Sequence, residues 1–529
     1  MILNGTSLIA GAAVETSGTT FTAFNPATGA ILEPLFYEAS TEVADRALAA
    51  AAAAFDDFQR RSANERADFL DTIASEIEAL GDVLIERAVA ESGLPGARIS
   101  GERGRTCGQL RLFAEVVREG SWVDARIDTA LPERQPVPRP DIRRMLKPIG
   151  PVVVFGASNF PLAFSTAGGD TASAFAAGCP VVVKAHPAHP GTGELVGRAI
   201  ASAAEICALP AGVFSLVHGG PSIAVALVRH PATAAVGFTG SHRAGRALFD
   251  AASGRPNPIP VFGEMSSVNP VFLLPGALEE RAAEIAENLV GSFTLGTGQF
   301  CTKPGLVFAI RDRNSDGFVA ALVAAVGQVA SGTMLSVDIL DAFERSRMTV
   351  TAVEGVSIAA EAAAPAAGKG VNAGASVATT DAKHFLAHPE LATEVFGPFA
   401  IVVLADSEEE MLACARSIEG QLTATFHGTQ SDIAAAGALM AAAERFAGRL
   451  IVNGFPTGVE VSPAMNHGGP YPATTDARFT SVGTAAVLRF ARPVCYQGFP
   501  EEMLPPELRD ANPRGIMRTI DGTLTRDAV

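Results

Sequence analysis

Cysteine is scarce in this chain: six thiols among 529 residues, at positions 107, 179, 207, 301, 414 and 495. None forms a CxxC pair, and no His/Cys group has metal-ligand spacing, so the thiols are read as reduced and no metal is expected. Basic charge is also scarce. Forty Lys and Arg stand against 56 Asp and Glu, a net charge of −16, and the densest basic group (Arg139, Arg143, Arg144, Lys147) is short and interrupted. Nucleic acid and anionic membrane are therefore not expected partners. No apolar run reaches membrane length; residues 151–183 come nearest, broken by Asn159, Pro161, Asp170 and four glycines. The opening stretch MILNGTSLIAGAAVETSG has neither a charged leader nor a sustained apolar run, so a cytoplasmic location is expected. We find no internal repeat.

What is present is material for large cores. The chain is 48% hydrophobic, mostly Ala, Val, Leu and Ile, with 52 Gly and 34 Pro spread along it, and its length predicts two or three lobes. Residues 41–119 read as helical, with apolar side chains at three- and four-residue steps such as Phe69, Ile73 and Ile77. From Arg126 to Lys147, prolines and arginines favour extended pieces that leave the main body, an excursion suited to assembly. Residues 151–262 alternate short β-branched runs with helix-sized segments: strands at 151–155, 180–184, 214–220, 234–240 and 258–262, helices at 162–177, 193–207, 221–230 and 241–252. This α/β alternation predicts a parallel, doubly wound sheet, whose ligands bind outside the carboxyl ends of the strands. A second α/β lobe is expected from about Val268 to Thr480, with a helix at 278–295 and strands at 307–310, 400–404 and 450–453. The Ala- and Gly-rich stretch 351–382 is read as short loop and strand pieces, and 500–529 as a polar tail that docks on the surface or on a neighbouring subunit.

Several residues at those strand ends are chemically unusual. Cys301 in LGTGQFCTKPG (295–305) sits where the backbone bends, and it is either a structural thiol or a nucleophile. Asn159, following a strand in VVVFGASNFP, either presents its amide to an oxyanion or caps the 162–177 helix. Glu264 lies beside Met265, Ser266 and Ser267, which offer no counter-charge; burial there would raise its pKa and suit it to take a proton, whereas a loop glutamate is ordinarily just solvated. The Gly240-Ser241 pair in GFTGSHRAG opens a helix and suits a phosphate, although a glycine at such a turn often means only tight geometry. Lys184, ending an apolar strand, needs an anionic or hydroxyl partner such as a phosphate or a ribose.

Together, ASNFP (157–161), Lys184 after VVV, GFTGS (237–241), Glu264, GQFC (298–301) and EVFGP (394–398) resemble the aldehyde dehydrogenase superfamily in order and spacing, over nearly the whole chain. The resemblance implies a Rossmann-type cofactor domain (1–125 and 148–267), an α/β catalytic domain (268–482), a β oligomerisation arm (126–147 and 483–500) and a C-terminal tail (501–529). It implies a homodimer or homotetramer. It also implies that Cys301 adds to an aldehyde, that Asn159 and the Cys301 N–H stabilise the oxyanion, and that Glu264 activates the water that hydrolyses the resulting thioester. By the same resemblance Lys184 and Glu394 bind the cofactor riboses, and Gly240 and Ser241, with Thr239 and Gly245 beside them, meet the pyrophosphate. Phe396 packs near the nicotinamide, and Phe160, Phe164, Phe300 and Phe455 line a substrate tunnel.

The departures from the family pattern carry their own expectations. Ser158 stands where Trp is common, and Met265-Ser266-Ser267 follow Glu264 where Leu-Gly-Gly is common. In KAHP (184–187), Pro187 replaces the glutamate that NAD-selective members use on the adenine ribose, so NADP is expected as cofactor, with His186, Lys184 or a nearby Arg on its 2′-phosphate and NAD as the second choice. KAHPAHPGT (184–192), HGGPYPATTD (467–476), ARPVCYQGFP (491–500) and the tail at 509–526 resemble the branch that oxidises 2-oxoglutarate semialdehyde. A long-chain fatty aldehyde is the alternative substrate, a non-catalytic relative the alternative class, and a CoA-dependent or phosphorylating enzyme the alternative chemistry. No residue identifies itself in the sequence as the group that would hold a substrate carboxylate.

Overall fold

The computed structural model describes residues 3–14, 18–363 and 370–529. Two seven-stranded sheets organise it, each buried on both faces by helices. The first runs, in spatial order, Val261–Glu264, Ala235–Thr239, Val152–Phe155, Val181–Lys184, Phe214–Val217, Ser7–Ile9 and Ala12–Val14, with the first five strands parallel and the amino-terminal pair antiparallel. The run VVVF is buried at every position because helices cover both faces, which is why it shows no polar alternation. The chain winds outward in both directions from Val152–Phe155, so the switch point opens between that strand and Ala235–Thr239.

The second sheet runs Ser357–Glu361, Ser376–Asp381, Phe399–Ala405, Leu306–Ile310, Val271–Leu273, Gln421–His427 and Ala447–Val452, parallel except for its first strand. Phe308, Phe272 and Phe426 stack across three neighbouring strands, at 5.1 and 5.4 Å between ring centroids, and tie its centre together. The helical stretch after residue 40 is four helices, Thr41–Phe58, Ala63–Ala79, Gly81–Ser92 and Gly96–Glu119. Ser40 and a Ser62/Glu65 capping box start the first two, and Gly93 and Gly120 in left-handed conformation stop the last two.

Four expectations need correction. The helix placed at 162–177 begins only at Gly169, and residues 161–168 are turns, because the carbonyls and amides there close local loops such as Ala157 N–H to the Phe164 carbonyl. The strand placed at 258–262 spans Val261–Glu264, so Glu264 ends a strand rather than following one. Residues 501–529 are not a separate tail: Arg518–Ile520 and Thr523–Thr525 join Arg126–Asp128, Ile142–Pro148 and Ala491–Gln497 in one five-stranded sheet, closed by buried Leu504, Leu508, Ile516 and Arg518. Finally, residues 467–482, assigned to the catalytic lobe, reach back and pair with the edge of the first sheet. Met265 N–H bonds the Ala473 carbonyl at 2.7 Å and Thr475 N–H bonds the Gly263 carbonyl at 3.0 Å. In the 351–382 stretch short strands are present, and residues 364–369 lie outside the described residues.

Candidate active site

Cys301 lies in the turn after the single helical turn Leu295–Gly298 and before the strand Leu306–Ile310. Gly298 makes this approach possible: its φ is +67°, and a Cβ there would stand 2.3 Å from the Gly397 carbonyl group, so the GQFC and EVFGP motifs abut directly. Asn269, itself buried, donates from Nδ2 to the carbonyls of Cys301 (2.9 Å) and Lys303 (3.0 Å) and pins the loop. Ser267, Thr423 and Gln421 hold Asn269 in turn. Sequence reading passed over Asn269, whose role rests on contacts with residues 32 to 154 positions away.

Asn159 is buried and donates from Nδ2 to the Gln299 carbonyl at 3.0 Å. It caps no helix, since the helix at 169 starts from Gly168 without a side-chain cap. One amide hydrogen is thereby directed at the cysteine loop, and the second has no partner among the described residues.

Glu264 differs from its expected state. Burial alone would raise its pKa, but the charge of His467 and hydrogen bonds from His467, Ser481 and Cys301 outweigh burial, and the carboxyl sits below its ordinary value. His467 Nε2 is 2.9 Å from one carboxylate oxygen, and Ser481 Oγ donates to the other at 2.7 Å. The same Nε2 lies 3.6 Å from Cys301 Sγ. Burial, followed by the charge of Glu264, pushes the Cys301 thiol well above the usual range, while its own backbone N–H works in the opposite direction. The resting group is a thiol beside one proton acceptor, the Glu264 carboxylate, toward which the His467 Nε2 hydrogen is also directed. Ligand atoms of Glu264, Cys301 and His467 all lie within 4.8 Å of one another, a set of metal-binding type that no local spacing reveals; the hydrogen bonds among them account for its cohesion. His467 escaped sequence reading because it stands 166 positions from Cys301.

On one side of Cys301 opens a cavity of about 340 Å³ that includes Phe160, Phe164 and Phe300 in its lining. Phe455, expected there, does not line it; its ring packs 4.7 Å from that of His427, on the apolar layer beneath the second sheet. On the other side, Ser266, Ser267 and Glu394 share a cleft of about 580 Å³ with His242 and Tyr471. Burial raises the pKa of Glu394 despite hydrogen bonds from Ser266 and the Ser267 N–H and the charge of Lys303. Phe396 is half-buried just beyond.

The cofactor candidates lie at the strand ends, with roles redistributed. Lys184 is largely buried, bonds to no side chain or carbonyl among the described residues, and burial lowers its pKa to about 8, with Glu38 acting against the shift. An unpaired cation at the sheet mouth fits a ribose or phosphate, so the residues present suit a dinucleotide. Ser241 caps the helix His242–Ser253 and Thr239 ends the strand before it. Gly240 departs from its expected role: its N–H donates to the Glu264 carbonyl at 3.1 Å, continuing the ladder between neighbouring strands, and is not open to a phosphate. Gly245 serves packing, since a Cβ there would stand 2.7 Å from Met265 Sδ. His186, beside Pro187, is held well below its usual pKa by burial and is stacked on His189, so it would bring no charge to a 2′-phosphate.

The model of the aldehyde dehydrogenase family matches residues 13–476. The chain belongs to the aldehyde dehydrogenase family. It is 52% identical over 524 residues to alpha-ketoglutaric semialdehyde dehydrogenase 2 of Azospirillum brasilense and 46% identical over 525 residues to alpha-ketoglutaric semialdehyde dehydrogenase of Acinetobacter baylyi, covering 99% of each chain in both cases. Among solved structures it is similar to betaine aldehyde dehydrogenase of Staphylococcus aureus (TM-score 0.80, 20% identity, 94% of this chain and 96% of that one). It is also similar to aldehyde dehydrogenase C of Pseudomonas syringae, complexed with NAD+ and octanal (TM-score 0.79, 22% identity, 94% and 97%). This aldehyde dehydrogenase is an oxidoreductase of the NAD(P)-dependent family fold, and among its described residues no helix is long and apolar enough to cross a membrane.

Proposed function

We propose that this aldehyde dehydrogenase oxidises 2-oxoglutarate semialdehyde to 2-oxoglutarate through a Cys301 thioester. The observation that carries the chemistry is the cluster of Cys301, His467 and Glu264, whose cysteine lines a phenylalanine-bearing cavity, with the Asn159 amide bonded to the Gln299 carbonyl in the same loop. The substrate reading is supported by the names of the two full-length relatives.

The thiol of Cys301 passes its proton to Glu264, within the pair that Glu264 forms with His467, and the sulfur adds to the aldehyde carbon. Asn159 Nδ2 and the Cys301 N–H receive the developing oxyanion. When bound, NAD(P)+ supplies the acceptor for the hydride that leaves the thiohemiacetal. Glu264 loses the cysteine's proton to solvent, is returned to the ionised form that His467 and Ser481 favour, takes a proton from water as it attacks the thioester, and passes that proton to the departing Cys301 sulfur, releasing the acid and restoring the thiol. Retention of this base favours water over CoA or phosphate as acyl acceptor, and product analysis with and without CoA separates the two.

Lys184 and Glu394 would hold the riboses, and Ser241 with the following helix end the pyrophosphate. We favour NADP because Pro187 removes the carboxylate that would repel a 2′-phosphate; Glu38 beside Lys184 acts in the opposite sense, and the ratio of efficiencies with the two cofactors decides. A dimer or tetramer is supported by two uncovered sheet edges, Ala447–Val452 and Ala491–Gln497, which light scattering would test. A cytoplasmic location is our reading of six unpaired cysteines. The deciding experiment measures reduced cofactor formed from 2-oxoglutarate, succinic and glutaric semialdehydes and from long-chain aldehydes. Cys301→Ser should abolish turnover and the acyl adduct seen by mass spectrometry; an active serine variant would overturn the mechanism.

A further inference from the structure

The cavity that leads to Cys301 is apolar except on one wall. That wall is the helix Gly96–Glu119, which presents Arg98, Gly101, Glu102 and Arg105, residues spaced to share one face. The Arg98 guanidinium lies over two rings, 4.4 Å from the centre of Phe160 and 4.8 Å from that of Phe300. Those phenylalanines are the immediate neighbours of Asn159 and Cys301. Arg105 lies 5.7 Å from the ring of Phe164 and donates one amino group to the Val459 carbonyl.

Neither cation is fully used. Arg98 makes no hydrogen bond among the described residues and touches only Glu102 Oε2, at 3.4 Å, while Arg105 Nε is buried without a partner. Glu102 spends its other oxygen on the N–H groups of Leu162 and Ala163, at 2.8 and 3.0 Å, so it is part of the wall rather than a mobile counter-ion. Among the residues that line the cavity two guanidinium groups face one carboxylate, with Glu460 outside the lining but within electrostatic reach of Arg105. Burial lowers the pKa of both arginines while Cys301 and Glu102 act in the opposite direction, which places the cations within electrostatic reach of the sulfur. Arg449, by contrast, spends its guanidinium on the Pro456 and Gly458 carbonyls and does not line the cavity.

We propose that Arg98 and Arg105 form the carboxylate-binding subsite that selects short aldehydes carrying a terminal acid. The inference rests on the substrate reading above and names the residues responsible for it. In a five-carbon semialdehyde the carboxylate is about 5 Å from the aldehyde carbon, and Cys301, Phe300, Arg98 and Arg105 line the one cavity in which both ends would lie. A carboxylate there gains forked hydrogen bonds, whereas an alkyl chain would cover two cations without pairing them. The phenylalanines hold the methylene carbons and position Arg98 through its flat face.

The test compares glutaric semialdehyde with pentanal, equal in length and differing in the acid, on the full-length enzyme and on Arg98→Gln, Arg105→Gln and Arg98→Lys. In the parent, kcat/KM should favour the acid. Arg98→Gln should cut that preference about 10- to 100-fold, mainly through KM, with pentanal little changed; Arg98→Lys should restore part of it, and Arg105→Gln should act in the same direction. As a readout separate from turnover, glutarate should protect Cys301 from alkylation by iodoacetamide in the parent and not in Arg98→Gln. Equal losses with both aldehydes, or protection unchanged by the substitution, would overturn the arginine subsite while leaving the substrate reading intact. A parent enzyme with no preference for the acid would instead overturn the substrate reading and the subsite with it.

Discussion

Two glutamates lie near Cys301, one buried and one lining a cleft, and their environments shift their pKa values in opposite directions. Glu264 faces His467 and Ser481 and is held below its ordinary pKa, whereas Glu394 is raised by burial although Ser266, the Ser267 N–H and Lys303 all work against the shift. What differs is the partner: His467 stands 2.9 Å from Glu264, while Lys303 directs its ammonium to the Val395 and Phe399 carbonyls at 2.9 and 2.8 Å. A cation already bonded elsewhere stabilises a carboxylate less than one that bonds it directly. The pair teaches that burial sets the cost of a charge and the nearest donor decides whether the cost is met.

The largest effect should come from breaking the symmetry of the two carboxylates. Glu264→Gln is expected to lower kcat about 10²- to 10⁴-fold, with the acyl adduct on Cys301 accumulating because deacylation loses its base. Glu394→Gln should instead act chiefly on the KM of the cofactor; single-turnover and steady-state kinetics of the two variants check the division.

Removing the donor is the next step down. His467→Phe keeps a ring beside Phe164 but leaves Glu264 buried without its imidazole donor, so burial dominates and the carboxyl pKa rises. In the parent the base is ionised until pH falls through a lowered pKa; in the variant it is lost at a higher pH, so the acidic limb of the kcat profile should move upward, with activity near neutrality reduced about 10-fold. An acidic limb that stays in place would show that Ser481 and the cysteine suffice.

A third glutamate sharpens the comparison at the cofactor end. Glu38 partly offsets the desolvation of Lys184, so Glu38→Gln should raise the NADP-to-NAD efficiency ratio a few-fold by removing a negative charge near the lysine. The smallest change expected is from Ser481→Ala, which deletes one hydrogen bond to Glu264 and should move the acidic limb in the same direction as His467→Phe by less than about one pH unit.

How much of this was legible beforehand varied with distance along the chain. The strands around 152–155, 181–184, 214–217 and 235–239 announce themselves because buried parallel strands are short apolar runs bounded by Gly and Pro. Asn159, Lys184, Glu264 and Cys301 stand in local motifs and could be singled out. The direction of the Glu264 pKa could not, because its sequence neighbours are neutral and its donors come from positions 467 and 481. The 162–168 segment misled for a related reason: small residues suit a helix, but Leu162 and Ala163 N–H groups bond Glu102, a contact set by a distant helix. The last 29 residues read as a tail because their strands are three residues long and are stabilised only by the partner strands of the arm.

The amino-acid sequence by itself determined the parallel architecture and the family to which the chain belongs, and singled out Cys301 as the candidate nucleophile, since each is written in contiguous patterns whose chemistry is local. Tertiary structure alone decided which titratable groups stand beside Cys301 and which cations line the adjoining cavity. Electrostatic interactions act through space over a few ångströms, and here the groups that govern Cys301 come from a helix near residue 100, the first sheet's edge and a strap after residue 466, segments that only folding brings together.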